Sequence, residues 1–429
     1  MFVARRLPTL SHHGRRGRLR GHGYFGRLGP GIVTGAADDD PSGIGTYSQV
    51  GAAFGLALLW STLLVAPMAA AVQENAARLG LATGKGLATL IRERFPRRIL
   101  YFAVLLTLVA NVFNIAADVG SMAAATRLVV DIPETALVIA MTAGMLTLVV
   151  LLPYHRYARI LRWFAMSLLA YPIVLVTVHV DWGAVLQHAV SPTLESGGAG
   201  LAALVAVFGT TVSPYLFFWQ ASEEVEEEHD HNDRSGRVAS EHLQAMRVDV
   251  IGGMASAVGI AFVIVVVAAS TLHRAGITTI ATADQAADAL RPLAGDLSGL
   301  VFAFGIVGLG LLAVPVLAGS TAYALSEAFD WHEGLSRTFR QAKGFYMVLG
   351  ASMLAGLLIH FSPLDPIRAL YYAAILNGLA APPLILLMFV LGRDRAVMGE
   401  HRSGRVSTVI VGLTIVVSVV TPLVWLATS

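Results

Sequence analysis

Eleven stretches of this chain are apolar and long enough to cross a bilayer, and no other feature restricts its fold as tightly. A span needs about 20 predominantly apolar residues. Such runs lie near 29–52, 55–79, 99–126, 133–153, 160–180, 198–222, 248–272, 297–327, 344–361, 367–391 and 406–427. In hydrocarbon every backbone N–H and C=O must be paired within the chain, so runs of this length read as helices. Only 14% of the residues are charged and 55% are hydrophobic, whereas a soluble domain carries about 25% charge. The expectation is an all-α integral membrane protein whose main partner is the lipid bilayer, with no role for nucleic acid.

The basic residues give that bundle a direction. With the N-terminus inside, 25 of the 30 Lys and Arg residues fall in cytoplasmic segments, and only Arg127, Arg274, Arg291 and Arg368 fall outside. Arg78 sits at the inner end of the second span. The positive-inside rule then predicts a cytoplasmic N-terminus and an extracytoplasmic C-terminus. Residues 1–28 hold seven arginines but no apolar core of signal-peptide length, so they read as a basic tail. The absence of cysteine excludes disulfides and thiolate metal ligands. No phosphate-cradling loop suggests an ATP-driven pump. A bacterial inner membrane, and a monomer or weak oligomer, suit such a chain best.

Two of the spans are interrupted. The first contains Asp38-Asp39-Asp40-Pro41-Ser42-Gly43, and the sixth contains Gly209-Thr210-Thr211-Val212-Ser213-Pro214-Tyr215. Proline withdraws helix hydrogen bonds. A charged side chain inside the membrane costs roughly 2.5–3.5 kcal/mol on insertion scales, so it normally lines a polar cavity with a function. One proline alone would read as an ordinary kink. Breaks at matching positions of two five-span halves, the second inverted because five is odd, instead mark a transport site near the midplane. The organisation expected is a tail (1–28), a first repeat (29–180), an extracytoplasmic loop (181–197), a second repeat (198–392), and a cytoplasmic loop with the last span (393–429).

Several of these residues resemble the Nramp family of divalent-metal transporters. The likeness rests on Gly29-Pro30-Gly31, Asp40-Pro41-Ser42-Gly43-Ile44-Gly45-Thr46, Gln49, Leu58-Leu59-Trp60, Ala77-Arg78-Leu79-Gly80 and Thr83-Gly84-Lys85, together with the sixth-span break. It implies a LeuT-type 5+5 inverted repeat with 11 transmembrane helices, helices 1 and 6 unwound, and alternating access. It also implies that Asp40 and the Thr210 carbonyl face the ion. The departures are informative. The family's metal-binding asparagine is Gly43 here, its methionine is Ser213, and its two histidines are Tyr215 and Gln220. Thioether and imidazole suit softer ions, while carboxylate, hydroxyl, carbonyl and water suit Mg²⁺ and Mn²⁺. Smaller side chains would also let the ion keep water, as Mg²⁺ prefers. The expected cargo is therefore a hard, partly hydrated divalent ion, as in the magnesium-transporting branch.

Other polar residues are weighed beside this set. Three successive helical residues point about 100° apart, so Asp38 and Asp39 cannot both join Asp40 on one ion; Asp39 remains a candidate ligand. On the third span, Asp118 matches the acid of the family's proton relay, but Asn111 and Ser121 stand at its other acidic positions. With Tyr215 and Gln220 at the histidine positions, Asp118 is left as the main relay or gating candidate, and proton coupling is expected to be weak or absent. Asn377 in the tenth span is a further candidate ligand, with bundle packing as its ordinary alternative. The acidic run Glu223, Glu224, Glu226, Glu227 and Glu228 with His229 and His231 reads as a solvated helix end. Two rival functions are a Na⁺-coupled carrier of an organic solute and an intramembrane aspartyl protease pairing Asp40 with Asp118. The transporter reading makes the chain no enzyme and needs no cofactor beyond its cargo.

Overall fold

The computed structural model describes residues 29–151, 166–193, 198–230, 240–362 and 364–428, and every regular element among them is helical. The basic tail, the loop residues expected to be cytoplasmic (Arg156, Arg159, Arg162, Arg234 and Arg237), and His231 lie outside the described residues.

The first span shows how local sequence fixes the break. Helix α1 (Pro30–Asp38) starts with proline at its first position, where a missing N–H costs nothing. It stops because Asp40 precedes Pro41, and a pre-proline residue is driven out of the helical region. Asp39 leaves the helix at φ −79°, ψ 41°, and Asp40 is extended at φ −68°, ψ 170°. Pro41 then opens α2 (Pro41–Phe54), and the Asp40 side chain caps it by accepting from the Gly43 amide. The same pre-proline logic separates the two halves of the sixth span, described below.

The remaining helices follow the apolar runs. They are α3 (Leu59–Thr83), the short α4 (Leu87–Arg94), α5 (Arg97–Thr126), α6 (Glu134–Leu151), α7 (Ala170–Thr177) and α8 (Trp182–Val190). The sixth span is α9 (Gly198–Thr211) and α10 (Pro214–Asp230). After these come α11 (Ser240–Ala268), α12 (Ser298–Phe329), α13 (Lys343–His360), α14 (Pro366–Arg393) and α15 (Arg405–Thr428). Eight of the described spans are long and apolar enough to cross a membrane by length and composition alone. The other three of the eleven have identifiable reasons for falling short. The first is cut by Pro41, the fifth is described only from residue 166, and the C-terminal half of α3 carries Gln73, Glu74, Asn75 and Arg78. Those polar groups are buried but paired: Glu74 accepts from Arg78 and Arg247 and from the Ser407 hydroxyl. The loop expected at 181–197 holds α8, whose N-terminus Asp181 caps through the Ala184 amide.

Two groups of helices form around the breaks. Helices α5, α12, α13 and α14 pack together, while α1, α2, α3, α10 and α11 form a second set. Of the sixth span's most apolar window, 89% is buried, against 22% for α15, which places α9 and α10 at the centre and α15 at the periphery. Close helix approach in membranes relies on small residues. A Cβ on Gly35 would fall onto the Gly253 carbonyl, and one on Gly253 would fall onto that of Gly31. Backbone therefore meets backbone between α1 and α11. Asp249 adds a polar tie there, accepting from the Gly31 amide at 2.7 Å.

Candidate metal centre

The first break gathers oxygen. Asp38, Asp39 and Asp40 are all buried, none more than 6% exposed. Asp40 Oδ1 accepts from the Gly43 amide at 2.6 Å, which holds its carboxylate at the positive end of α2, where negative charge is favoured. Gly43 completes the geometry by what it lacks. A Cβ there would lie 3.1 Å from the Asp38 carbonyl oxygen, 3.4 Å from Asp40 Oδ1 and 3.6 Å from Thr210 Oγ1. Its bare α-carbon thus borders three oxygens drawn from both breaks.

The second break supplies the other side. Ser213 Oγ donates to the carbonyls of Gly209 at 2.8 Å and Thr210 at 2.9 Å, which satisfies backbone groups that Pro214 leaves open. Tyr215 Oη donates to the Ala37 carbonyl at 2.8 Å and lies beside Asp40, so it pins the end of α1 to the start of α10. Thr210 Oγ1 is buried and has no hydrogen-bond partner. The structure therefore brings Asp40, Gly43, Thr210, Ser213 and Tyr215 together. Gln220 lies one to two turns further along α10, where it accepts from Thr34 Oγ1 at 2.5 Å and donates to Glu224 Oε1 at 2.8 Å.

Span 3 separates its polar residues clearly. Asn111 donates to Thr321 Oγ1 at 2.9 Å, and Ser121 Oγ bonds back to the Asp118 carbonyl at 2.8 Å. Asn114 and Asn377 exchange amide hydrogen bonds at 2.9 and 3.3 Å. In this conformation Asn377 is thus engaged in bundle packing, and ligation would require it to leave Asn114. Asp118 differs from all of these. It is fully buried, sits beside Asp40 and the Ser42 amide, and both its carboxylate oxygens lack partners.

Unpartnered buried polar atoms are rare in native proteins, and each points to a missing partner. Here Asp38 Oδ1, Ser42 Oγ, Thr46 Oγ1, Thr210 Oγ1 and both oxygens of Asp118 are of this kind. Among the described residues no three His, Asp or Glu side chains converge as a cage for metal. A cation here would be held by one or two carboxylates, carbonyls, hydroxyls and retained water, the donor set of hard ions. Tyr47 Oη and Thr211 Oγ1 bond at 2.6 Å between α2 and α9. Beside them lie cavities of about 10 Å³ lined by Ile44, Phe302 and Ile306, with room for no more than a water molecule.

Sequence reasoning missed some of this and misread one element. The Tyr47–Thr211 pair and Asp249 carry no motif; a lone acid early in the seventh span was the only available signal for the latter. The acidic run after the sixth span is not a solvated end where it is described. Glu223 and Glu224 are buried. Glu226 accepts from the Tyr323 hydroxyl and from the amides of Leu335 and Ser336. The reason is tertiary: α12 and the loop after it fold over α10 and give those carboxylates donors, which composition cannot foresee. The side chains of Glu228 and His229 lie outside the described residues.

Comparison with known proteins agrees with the fold. The profile of the family described as "Nramp: Natural resistance-associated macrophage protein-like" matches residues 31–428. The chain is 31% identical over 298 residues to a divalent metal cation transporter MntH of Erwinia tasmaniensis, covering 68% of this chain and 70% of that one. It is 28% identical over 379 residues to the MntH of Klebsiella pneumoniae, covering 87% of each. Among solved structures it resembles a manganese transporter of Eremococcus coleocola at TM-score 0.73 and 18% identity, over 94% of this chain and 87% of the other. It also resembles Mhp1, a nucleobase-cation-symport-1 family transporter, at TM-score 0.56 and 13% identity, over 93% and 91%.

Proposed function

The chain belongs to the Nramp family of multi-pass membrane transporters, and on that premise we propose that it moves a divalent metal cation, Mg²⁺ or Mn²⁺, by alternating access with little or no proton coupling. The curated relatives named as divalent metal cation transporters support the cargo class. One observation carries the finer reading: the two breaks face each other with oxygen donors alone. Asp40, the Asp38 carbonyl and Thr210 border the space left by Gly43, and Ser213 bonds to the Thr210 carbonyl behind it. Neither sulfur nor imidazole is offered, and space is left for water ligands.

The buried break, closed above by the Tyr47–Thr211 bond, suits an occluded step of such a cycle. Gly209, whose Cβ would fall onto the Ala374 carbonyl, supports a firm seat for α9 on α14 around which the rest moves. Little proton coupling follows from the swap of both family histidines for Tyr215 and Gln220, each bound to protein partners. The inverted halves at 29–180 and 198–392, the inward N-terminus and a bacterial inner membrane belong to the same proposal, supported by the distribution of basic residues. Uptake of Mn²⁺ into proteoliposomes tests it. Mg²⁺ should compete with Mn²⁺ and the lumen should not acidify; strong preference for Cd²⁺, or robust metal-driven acidification, would refute it.

A further inference from the structure

The break carries more negative charge than one divalent ion neutralises. Asp38, Asp39, Asp40 and Asp118 are each at most 6% exposed, and among the described residues none of them forms an ion pair with Lys, Arg or His. Helix ends do not fill the gap. The N-termini of α2 and α10 each bring roughly half a positive charge, and the C-termini of α1 and α9 return it as negative. Four buried carboxylates opposite one divalent cation carry more negative charge than it can balance. An uncompensated buried charge costs several kcal/mol, so a further positive charge must accompany the cargo.

The geometry also indicates where it sits. Asp118 presents two unpartnered oxygens toward the start of α2. On α2, Ser42 and Thr46 are fully buried with unpartnered hydroxyls. Their four-residue spacing sets them on one face of the helix. These hydroxyls are independent of the acids and lack any acceptor or donor of their own. A proton on Asp118 would cancel the charge but leave the set of hydroxyls largely idle. A small cation engages all three side chains.

We propose that the junction of α2 and α5 is a second cation subsite, binding a monovalent ion such as Na⁺ through the Asp118 carboxylate and the hydroxyls of Ser42 and Thr46, next to the divalent ion at Asp40. It rests on the reading that the break binds a divalent cation. Binding of radiolabelled Na⁺ to the full-length purified protein, with and without saturating Mg²⁺, tests it. Na⁺ should stay bound at saturating Mg²⁺, and Asp118→Asn should weaken it by about tenfold or more, the loss of a charge-assisted contact. Thr46→Val, nearly isosteric, should weaken it severalfold, and a wild-type circular-dichroism spectrum with monodisperse elution shows that both variants are folded. Asp40→Ala should abolish Mg²⁺ binding and spare Na⁺. Displacement of Na⁺ by Mg²⁺, no Na⁺ binding, or Na⁺ binding indifferent to Asp118→Asn would each overturn the second subsite. Failure of the wild-type protein to bind Mg²⁺ is a separate result and removes the transport reading instead.

Discussion

Asp40 caps a helix and, in the proposed site, offers charge to an ion; two substitutions separate these roles. Asn is as good an N-cap as Asp, so Asp40→Asn keeps the bond to the Gly43 amide, whereas Asp40→Ala loses it at a cost of about 1 kcal/mol. Both remove the carboxylate. Leaving a buried ion without its charged partner costs about 3–5 kcal/mol. At about 1.4 kcal/mol per tenfold, that weakens Mg²⁺ binding by roughly two to three and a half orders of magnitude. Calorimetric titration of Mg²⁺ should therefore show equal, near-complete loss in the two variants. Hydrogen exchange of the peptide containing Gly43, in the absence of metal, should separate them: the Ala variant exchanges faster by about fivefold, the equivalent of the lost cap, and the Asn variant matches wild type. If Asp40→Asn binds Mg²⁺ within a few-fold of wild type, the carboxylate is not the ligand and the site assignment fails.

Further outcomes are specific to single residues. Gly43→Asn puts a Cβ 3.1 Å from the Asp38 carbonyl, a contact its neighbours must yield to, and an amide where water would sit. Competition assays should then show selectivity moving from Mg²⁺ toward Mn²⁺ and Cd²⁺ by about tenfold, one ligand's worth of net interaction. Gly253→Val drives a side chain into the Gly31 backbone and should prevent a monodisperse folded product in size-exclusion chromatography, because nothing flexible can give way. In the loop after α12, burial, with Glu327 and Glu226 nearby, pushes Glu333 up to about 9. A carboxyl whose folded value is raised stabilises the loop fully below its unfolded value of about 4.3 and loses that contribution as pH climbs toward 9. Proteolysis near residues 330–342 should accelerate across that window, and Glu333→Gln should flatten the dependence.

Much of the fold was legible because hydrocarbon imposes one rule on every span, and apolar run length follows from it directly. Both breaks were readable for the same reason: a proline fixes its predecessor, and Asp40 and Ser213 each precede one. The candidate ligands Asp40, Gly43, Thr210 and Ser213 came from the resemblance to the Nramp family, and the residue chemistry at those two places then narrowed the expected ion. What could not be read depends on partners far away in sequence. Asn377 meets Asn114 across 263 positions, Tyr47 meets Thr211 across 164, and Glu226 finds donors 109 and 110 residues later. Composition around the acidic run suggested water as its partner, yet the loop after α12 fills that place. Only the assembled bundle distinguishes a polar side chain already satisfied from one still waiting for a ligand.

The glycine contacts between α1 and α11 have a mechanical meaning. With Gly31, Gly35 and Gly253 bringing main chains together and Asp249 gripping the first turn, the first half-helix has no layer of side chains on which to slide. It is a lever bolted to the seventh span. In the alternating-access cycle proposed above, a swing of this half-helix must carry both, and the fulcrum falls at Asp39 and Asp40, where the chain leaves helical geometry. Spin labels placed on α1 and α11 would then keep their separation through the cycle while the distance from α1 to α5 changes.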